Sequence, residues 1–322
     1  MTHHILKATK ETVHLGGFSH LLTPALTIDS GDTVEVETYT GYYLYDKAPA
    51  EFLTPEFLDI CQNLPPERKI AGGPHLLTGP IYIRNAKPGD VLEVKLDAIA
   101  PRFPVGFNAI RTGWGALPDE FSQPALRFIH LDLENNIAAF PVGSGIKIPL
   151  TPFFGILGVA TPETGRSSIP PGCYGGNIDN RELQPGSRIF LPVFVPGALF
   201  SIGDGHSAQG DGEVNVTAIE TSMNGKIQLT IRQDLKLTTP IAETPTDIIT
   251  MGFGETLDGA LEVAVKNMID LLENLTNLSR EEAYVLCSLA VNFRITQVVN
   301  SPHKGVHGML PKAILPQDIC FY

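Results

Sequence analysis

One pattern recurs along the chain: a glycine-containing turn is followed at once by a run of apolar and β-branched residues. It occurs at residues 30–36 (SGDTVEV), 88–94 (PGDVLEV) and 185–191 (PGSRIFL). Glycine permits the positive φ of a tight turn, and β-branched residues favour strands. Helical patterns do not alternate with these strands, which argues against a parallel, nucleotide-binding sheet. The pattern therefore predicts an antiparallel sheet system.

Further strands are predicted at residues 199–202, 213–221 and 226–233, the last of them after a turn at residues 224–225 (NG). A short helix is predicted near residues 55–63.

A long run of apolar residues at helical spacing appears only late in the chain. It extends from Leu257 to Leu272, with Thr256 as the N-cap. A second helix is predicted from Ser279, where Glu282 completes a capping box. We therefore expect a mainly β fold with a few helices: an antiparallel β-sandwich or barrel-like core with a C-terminal pair of helices. A division near residues 141–152 is less economical than a single domain spanning residues 1–322.

Composition excludes several classes of protein. The chain has 322 residues, 43% of them hydrophobic, so it can bury a core. Lys and Arg number 23 against 35 Asp and Glu, and the net charge of −12 argues against nucleic-acid binding. No apolar run is long enough for a membrane helix, and the first residues have no signal-peptide pattern. Because the four cysteines (Cys61, Cys173, Cys287 and Cys320) form no CxxC pair, a cytoplasmic protein is expected.

The densest polar segment is residues 202–214 (IGDGHSAQGDGEV). Asp204 and His206 are two residues apart, which places them on one face of an extended chain and suits Zn²⁺ or a similar cation. Asp211 and Glu213 have the same spacing. The calcium-loop spacing of an EF-hand is absent, but a calcium site of other geometry stays open. The alternative is a solvated acidic hairpin loop.

A second polar, glycine-rich loop spans residues 170–182 (PPGCYGGNIDNRE). Cys173 is either a nucleophile or a buried small residue. The main-chain N–H groups of Gly175 and Gly176 suit an oxyanion, and Asn177 and Asp179 suit hydrogen bonds to an amide. A plain turn between strands explains the same residues.

The other candidates are weaker. His75 lies in a loop rich in glycine and proline (residues 72–80), but a lone histidine is usually structural. Residues 165–168 (GRSS) are too short for a serine-rich amidase site. His303 and His307 are separated by Gly305, so they do not form a helical metal pair. Neither a GxSxG elbow nor a phosphate-binding loop is present.

Taken together, these segments resemble the acetamidase/formamidase family of amide hydrolases. The resemblance covers almost the whole chain in the same order. The matching segments are residues 75–80 (HLLTGP), 86–94 (AKPGDVLEV), 171–179 (PGCYGGNID), 203–213 (GDGHSAQGDGE) and 291–299 (VNFRITQVV).

The resemblance implies a mostly β homo-oligomer that hydrolyses short amides, such as formamide and acetamide, to the acid and ammonia. It also implies a divalent metal, with Zn²⁺ expected and Ca²⁺ as a second or alternative ion. Carried over by segment, the metal ligands are His75, Asp204 and His206, and the acid/base residues are Glu213 and Asp211. The residues expected to bind the substrate are Cys173, Gly176, Asn177, Asp179 and Gln209.

In the mechanism that we infer from this resemblance, the metal would lower the pKa of its bound water and polarise the amide carbonyl. Glu213 would take a proton from that water and pass it to the leaving nitrogen, while Asp211 would orient a ligand histidine. Two alternatives stay open: an amidase that uses Cys173 as nucleophile, and a non-catalytic β module that binds a small ligand. The acidic residues between Asp204 and Glu213 favour the enzyme, because a pure binder has little need of an acid/base pair.

Overall fold

The computed structural model describes residues 1–70 and 72–316; Cys320 lies outside them. The helices within these ranges are α1 (Pro55–Asn63), α2 (Leu257–Leu275) and α3 (Arg280–Ala290). The strands in the first half are β1 (His3–Leu6), β2 (Val13–Leu15), β3 (Gly17–Phe18), β4 (Leu26–Ile28), β5 (Asp32–Glu37), β6 (Leu76–Ile83), β7 (Val91–Pro101), β8 (Val105–Ile110), β9 (Ala125–Asp132), β10 (Ile137–Ala139), β11 (Lys147–Pro149) and β12 (Phe153–Gly158). Those that follow are β13 (Arg166–Ser167), β14 (Gly175–Asn177), β15 (Arg188–Pro192), β16 (Phe200–His206), β17 (Met223–Arg232), β18 (Ile241–Glu243), β19 (Asp247–Gly254), β20 (Asn292–Gln297) and β21 (Lys304–Pro311).

The three recurrent turns share one local structure. Their glycines have positive φ: 91° at Gly31, 90° at Gly89 and 92° at Gly186. The residue after each glycine is buried, and its side chain bonds the main chain three residues earlier. These bonds run from Asp29 N–H to Asp32 Oδ2 (3.2 Å), from Lys87 N–H to Asp90 Oδ2 (3.1 Å) and from Ser187 Oγ to the Gln184 carbonyl (2.6 Å). Each turn therefore fixes the start of a strand by local chemistry.

The strands that follow these turns lie in one nine-stranded sheet, with the order β1-β5-β17-β7-β15-β18-β19-β21-β20. A six-stranded sheet contains β14-β12-β16-β6-β2, with β4 also paired to β6. Smaller sheets contain β11-β10-β9-β8 and β13-β3. Most of the pairings are antiparallel, as predicted, and the exceptions are β1 with β5 and β4 with β6.

The main apolar core joins the two large sheets. It combines Val34 of β5, Leu92 and Val94 of β7 and Ile227 of β17 with Ile81 of β6, Phe154 of β12 and Phe200 of β16. The sandwich prediction is thus confirmed. The barrel-like alternative is not, because the sheets stay open within the described residues.

The C-terminal helical pair is confirmed together with its caps. Thr256 Oγ1 accepts the Gly259 N–H at 3.1 Å, and Ser279 and Glu282 form the capping box. The helix α2 packs on β19, where a Cβ on Gly252 would lie 2.1 Å from the Ala260 carbonyl oxygen. Helix α1 is also confirmed over Pro55–Asn63. No helix of the described part of the chain has both the length and the apolar character needed to cross a bilayer.

Two sequence predictions are wrong. Residues 213–221 form a loop, with positive φ at Glu213 (46°) and Val216 (84°) that interrupts a regular strand. Gly225 lies inside β17 and not in a turn. A Cβ there would lie 2.8 Å from the ring of Phe154, so this glycine makes room for an aromatic side chain of the facing sheet.

Candidate active site

Strand β16 brings Asp204 and His206 together. The strand continues beyond the predicted residue 202 and ends at His206. Asp204 Oδ2 lies 3.5 Å from His206 Nε2, and both side chains are buried. The predicted convergence of these two side chains is confirmed, although φ at Asp204 is +56° and the strand is not regular there.

Glu220 joins them, and sequence reasoning missed it. Its Oε1 lies 3.3 Å from His206 Nε2 and accepts the Ala218 N–H at 3.1 Å. The main chain of Glu220 exchanges two hydrogen bonds with Phe107 of β8, which fixes the carboxylate. A single acidic residue in an otherwise uncharged run, residues 216–221 (VTAIET), was the available signal.

Asp179 and Glu213 lie on the other side of the imidazole. Asp179 Oδ1 is 3.9 Å from His206 Nδ1, and ligand-type atoms of Asp179, His206 and Glu213 lie within 4.8 Å of one another. Asn300 Nδ2 donates to Asp179 Oδ2 at 2.5 Å. Asp204, His206 and Glu220 form an equally compact group. His206 is thus shared by two sets of carboxylates.

Gln209 orients the shared histidine. His206 Nδ1–H donates to Gln209 Oε1 at 2.8 Å, and Gln209 Nε2 donates to the Asp179 carbonyl at 2.8 Å. A proton held on Nδ1 leaves Nε2 as the atom that faces Asp204 and Glu220. Gln209, predicted to bind substrate, therefore does what the sequence assigned to Asp211.

The carboxylates make a strongly negative environment. Burial lowers the pKa of His206, but the charges of Glu220 and Asp204 outweigh burial and raise it well above its ordinary value. Burial opposes the ionisation of Asp204, yet the positive charges of His75 and His206 keep its pKa low. The site stabilises positive charge at the position between these groups.

Asp179 and Glu213 behave differently. Burial raises the pKa of Asp179 to about 7, against the opposing charge of His206. Burial, reinforced by the charge of Asp179, raises the pKa of Glu213 well above its ordinary value. Two buried carboxyls so close together favour a shared proton.

His75 lines the same cavity as these groups but belongs to neither compact group around His206. Its Nδ1 is 2.8 Å from Ser168 Oγ, and burial lowers its pKa. The other imidazole nitrogen is therefore left for the cavity.

The cavity has a volume of about 210 Å³. Asp179, Asp204, Glu213 and Glu220 line one part of it, and Asn177 and Asn300 lie beside them. Four buried polar atoms of the site have no hydrogen-bond partner: His206 Nε2, Asp179 Oδ1, Glu213 Oε2 and Asn177 Oδ1. Unpartnered buried groups are costly, so this concentration makes the cluster the candidate ligand site.

Three residues predicted for the site lie elsewhere. Cys173 is exposed and does not line the cavity. Gly176 pairs with Leu157 in the sheet, and its main chain lies under the ring of Tyr174. Asp211 is exposed and lines a second cavity, which shares Glu213 with the first. The spacing of two residues did not bring Asp211 to the side of Glu213 because the positive φ of Gly212 (96°) and Glu213 turns the chain.

Known proteins resemble this chain in sequence, and solved structures resemble it in fold. A Schizosaccharomyces pombe protein provisionally named formamidase is 29% identical over 247 residues, which cover 59% of this chain and 57% of the relative. An acetamidase of Mycolicibacterium smegmatis is 29% identical over 199 residues, 44% of this chain and 49% of the relative. The chain thus matches only about half the length of these two curated relatives.

A solved structure extends the similarity. The crystal structure of a predicted acetamidase/formamidase from Thermoanaerobacter tengcongensis superposes with a TM-score of 0.84 and 30% identity, covering 98% of this chain and 97% of that one. The sequence profile described as the Acetamidase/Formamidase family matches residues 68–164 and 160–317. The resemblance found in the sequence is therefore confirmed, and the chain belongs to the Acetamidase/Formamidase family.

Proposed function

We propose that this protein is a hydrolase that cleaves the C–N bond of short linear amides, giving a carboxylic acid and ammonia with the help of a bound divalent cation. The observation that carries the proposal is the buried cluster of Asp179, Asp204, Glu213 and Glu220 around His206, at the end of a cavity of about 210 Å³. The names of the relatives, formamidase and acetamidase, agree with this reaction.

The residues of the cluster fit a cation. His206 Nε2, Asp179 Oδ1 and Glu213 Oε2 are buried without partners, and the surrounding carboxylates favour a positive charge at this place. Asp204, His206 and Glu220 would hold the ion, and His75, which lines the same cavity, would complete the set. One or two imidazoles with several carboxylates suit Zn²⁺, which we propose, while the oxygen-rich set makes Ca²⁺ the alternative.

When bound, the cation supplies a Lewis acid that polarises an amide carbonyl and lowers the pKa of water. Glu213 acts as acid and base: Oε2 takes a proton from the attacking water and passes it to the leaving nitrogen. Asp179 lies close enough to share that proton, and Asn300, which donates to Asp179, holds this carboxyl in place. The proton from Glu213 lets the nitrogen leave as ammonia, because an unprotonated amide anion is a poor leaving group.

Asn177 is proposed to bind the substrate amide. Its Nδ2 donates to the Ile169 carbonyl at 3.2 Å, which leaves Oδ1 buried, without a partner and on the cavity. An N–H of the substrate amide would satisfy that acceptor. This contact would turn the carbonyl carbon of the substrate toward the carboxylates.

Ammonia release tests the proposal. Purified protein is assayed with formamide, acetamide and propionamide, before and after dialysis against a chelator, and its metal content is measured by elemental analysis. We expect turnover that disappears on chelation and returns with Zn²⁺. Turnover that survives complete removal of metal would contradict the role of the cation. A metal-loaded protein that releases no ammonia from any of these amides would contradict the proposed hydrolase activity.

The protein is proposed to act as a homo-oligomer in the cytoplasm. Large apolar side chains are exposed on α3, notably Tyr284 (62%) and Leu289 (77%), which supports contact with a second copy. Cys61, Cys173 and Cys287 form no disulfide, as in a reducing compartment. Light scattering of the purified protein would give its molar mass and hence the number of subunits.

A further inference from the structure

The cavity that contains the carboxylates is also lined by a cation. Arg111, at the end of β8, lines the cavity together with Tyr43 and Trp114. Among the described residues that line it, Arg111 is the sole Arg or Lys. Four carboxyls and one guanidinium therefore line the same cavity.

Arg111 is held in place by an aromatic side chain and forms no ion pair with an acidic side chain of the described residues. Its Nη2 donates to the hydroxyl of Tyr43, and its Cζ lies 4.8 Å from the centre of the same ring. No carboxylate of the described residues lies within 4.0 Å of its guanidinium nitrogens, whereas Arg102, Arg188 and Arg232 each pair with at least one. A guanidinium stays charged at neutral pH and binds carboxylates in a two-pronged geometry. Its charge is thus available to a molecule in the cavity.

The size of the cavity also favours a ligand that is long enough to reach Arg111. A volume of about 210 Å³ has room for several water molecules, since one water needs at least about 10–15 Å³ of such space. Acetamide has four non-hydrogen atoms, so it would leave part of the cavity to solvent. A longer molecule would reach both the carboxyl cluster and Arg111.

We propose that Arg111 selects linear amides that carry a carboxylate at the end remote from the amide, that is, monoamides of dicarboxylic acids. The carboxylate binds Arg111 between Tyr43 and Trp114 while the amide lies at the acidic cluster. Water adds across the C–N bond, and the products are the dicarboxylate and ammonia. This inference rests on the proposed hydrolysis and names its substrate class.

Paired substrates test it. Succinamate and glutaramate are compared with 4-methylpentanamide and 5-methylhexanamide, in which an isopropyl group of similar shape replaces the carboxylate. For the wild type we expect kcat/KM to favour the acidic member of at least one pair by about tenfold or more, because a charge-assisted pair is worth that factor. R111Q should abolish the preference, and R111K should restore part of it. R127Q is the matched control, since Arg127 is an exposed arginine that bonds only a main-chain carbonyl and does not line the cavity. An unchanged preference in R111Q, or none in the wild type, overturns the proposal.

A binding measurement separates this inference from the proposed reaction. Titration calorimetry with succinate and with 4-methylpentanoate needs no turnover. If succinate binds the wild type and R127Q at least about tenfold more tightly than R111Q, Arg111 is a carboxylate site even if no amide is hydrolysed. Hydrolysis of neutral amides with equal succinate affinity in all three proteins would leave the reaction standing and refute the role of Arg111.

Discussion

Gly155 of β12 lies directly against the carboxylate of Asp179: a Cβ built on Gly155 would come within 2.3 Å of Asp179 Oδ1. The same Cβ would lie 2.9 Å from Asp204 Oδ2 and 3.0 Å from His206 Cε1. The main-chain φ at Gly155 is not positive, so the glycine is needed for space and not for backbone freedom. The absence of one side chain thus lets three functional side chains meet.

We therefore expect Gly155→Ala to lower kcat/KM for the best amide substrate by about 100-fold, since displacement of a site by about 1 Å has effects of that size. Gly210→Ala is the control, because a Cβ there meets nothing within 4 Å. Thermal unfolding shows whether both variants fold. A well-folded Gly155→Ala protein with wild-type activity would show that the cluster is not the site of the reaction.

Glu213→Gln should lower kcat by about 10²–10⁴-fold, the range for loss of a proton-transfer group. The bound metal should stay, as elemental analysis would show. If metal is lost together with activity, Glu213 is a ligand and not the acid/base residue. Asp211→Asn provides the comparison, since Asp211 is exposed outside the catalytic cavity and its replacement should change kcat by less than about twofold.

Gln209→Leu should lower metal affinity or activity by about 10–100-fold, as loss of a group that orients a ligand histidine does. The substitution removes the acceptor for His206 Nδ1–H and keeps similar volume. Gln209→Glu retains an acceptor at the same place and should keep more metal than the leucine variant. Equal metal affinity in wild type and Gln209→Leu would mean that His206 is held without this bond.

The stability of the protein should depend on pH through Asp32, which lies in the turn before β5. The Thr2 main-chain N–H at 2.6 Å and His4 at 2.9 Å stabilise the ionised carboxylate and lower its pKa from 3.8 to about 2. A pKa that is lower in the folded state stabilises the fold above pH 3.8, and this contribution is lost as the pH falls toward 2.

Asp32→Asn should therefore lower Tm by a few degrees at pH 6, and the difference from wild type should shrink as the pH approaches 2. The exposed residue Asp119 gives the control, because Asp119→Asn should follow the wild-type curve. Thermal unfolding between pH 2 and pH 6 provides the measurement. A difference that stays constant over this range would mean that the Asp32 charge does not act in this way.

Local elements of the fold were predictable because their causes are local. The turns before β5, β7 and β15 depend on a glycine and on the side chain that follows it. The ends of α2 and α3 depend on Thr256 and on the pair Ser279 and Glu282. The strand predicted at residues 213–221 is wrong, because an apolar and β-branched run does not reveal the positive φ angles at Glu213 and Val216.

The mainly β architecture and the helical pair could be predicted from the sequence, since recurring turns, apolar periodicity and helix caps are local. The family could be recognised from its matching segments, and the proximity of Asp204 and His206 from their spacing of two residues. The tertiary structure was needed to show that Glu220 and Gly155 lie in the cluster, that Gln209 bonds His206, and that Asp211 and Cys173 lie outside the cavity. Residues distant in the chain meet because sheet pairing brings β12 and the loop around residue 220 against β16. No pattern within one segment encodes such distances, because they are set by packing between sheets.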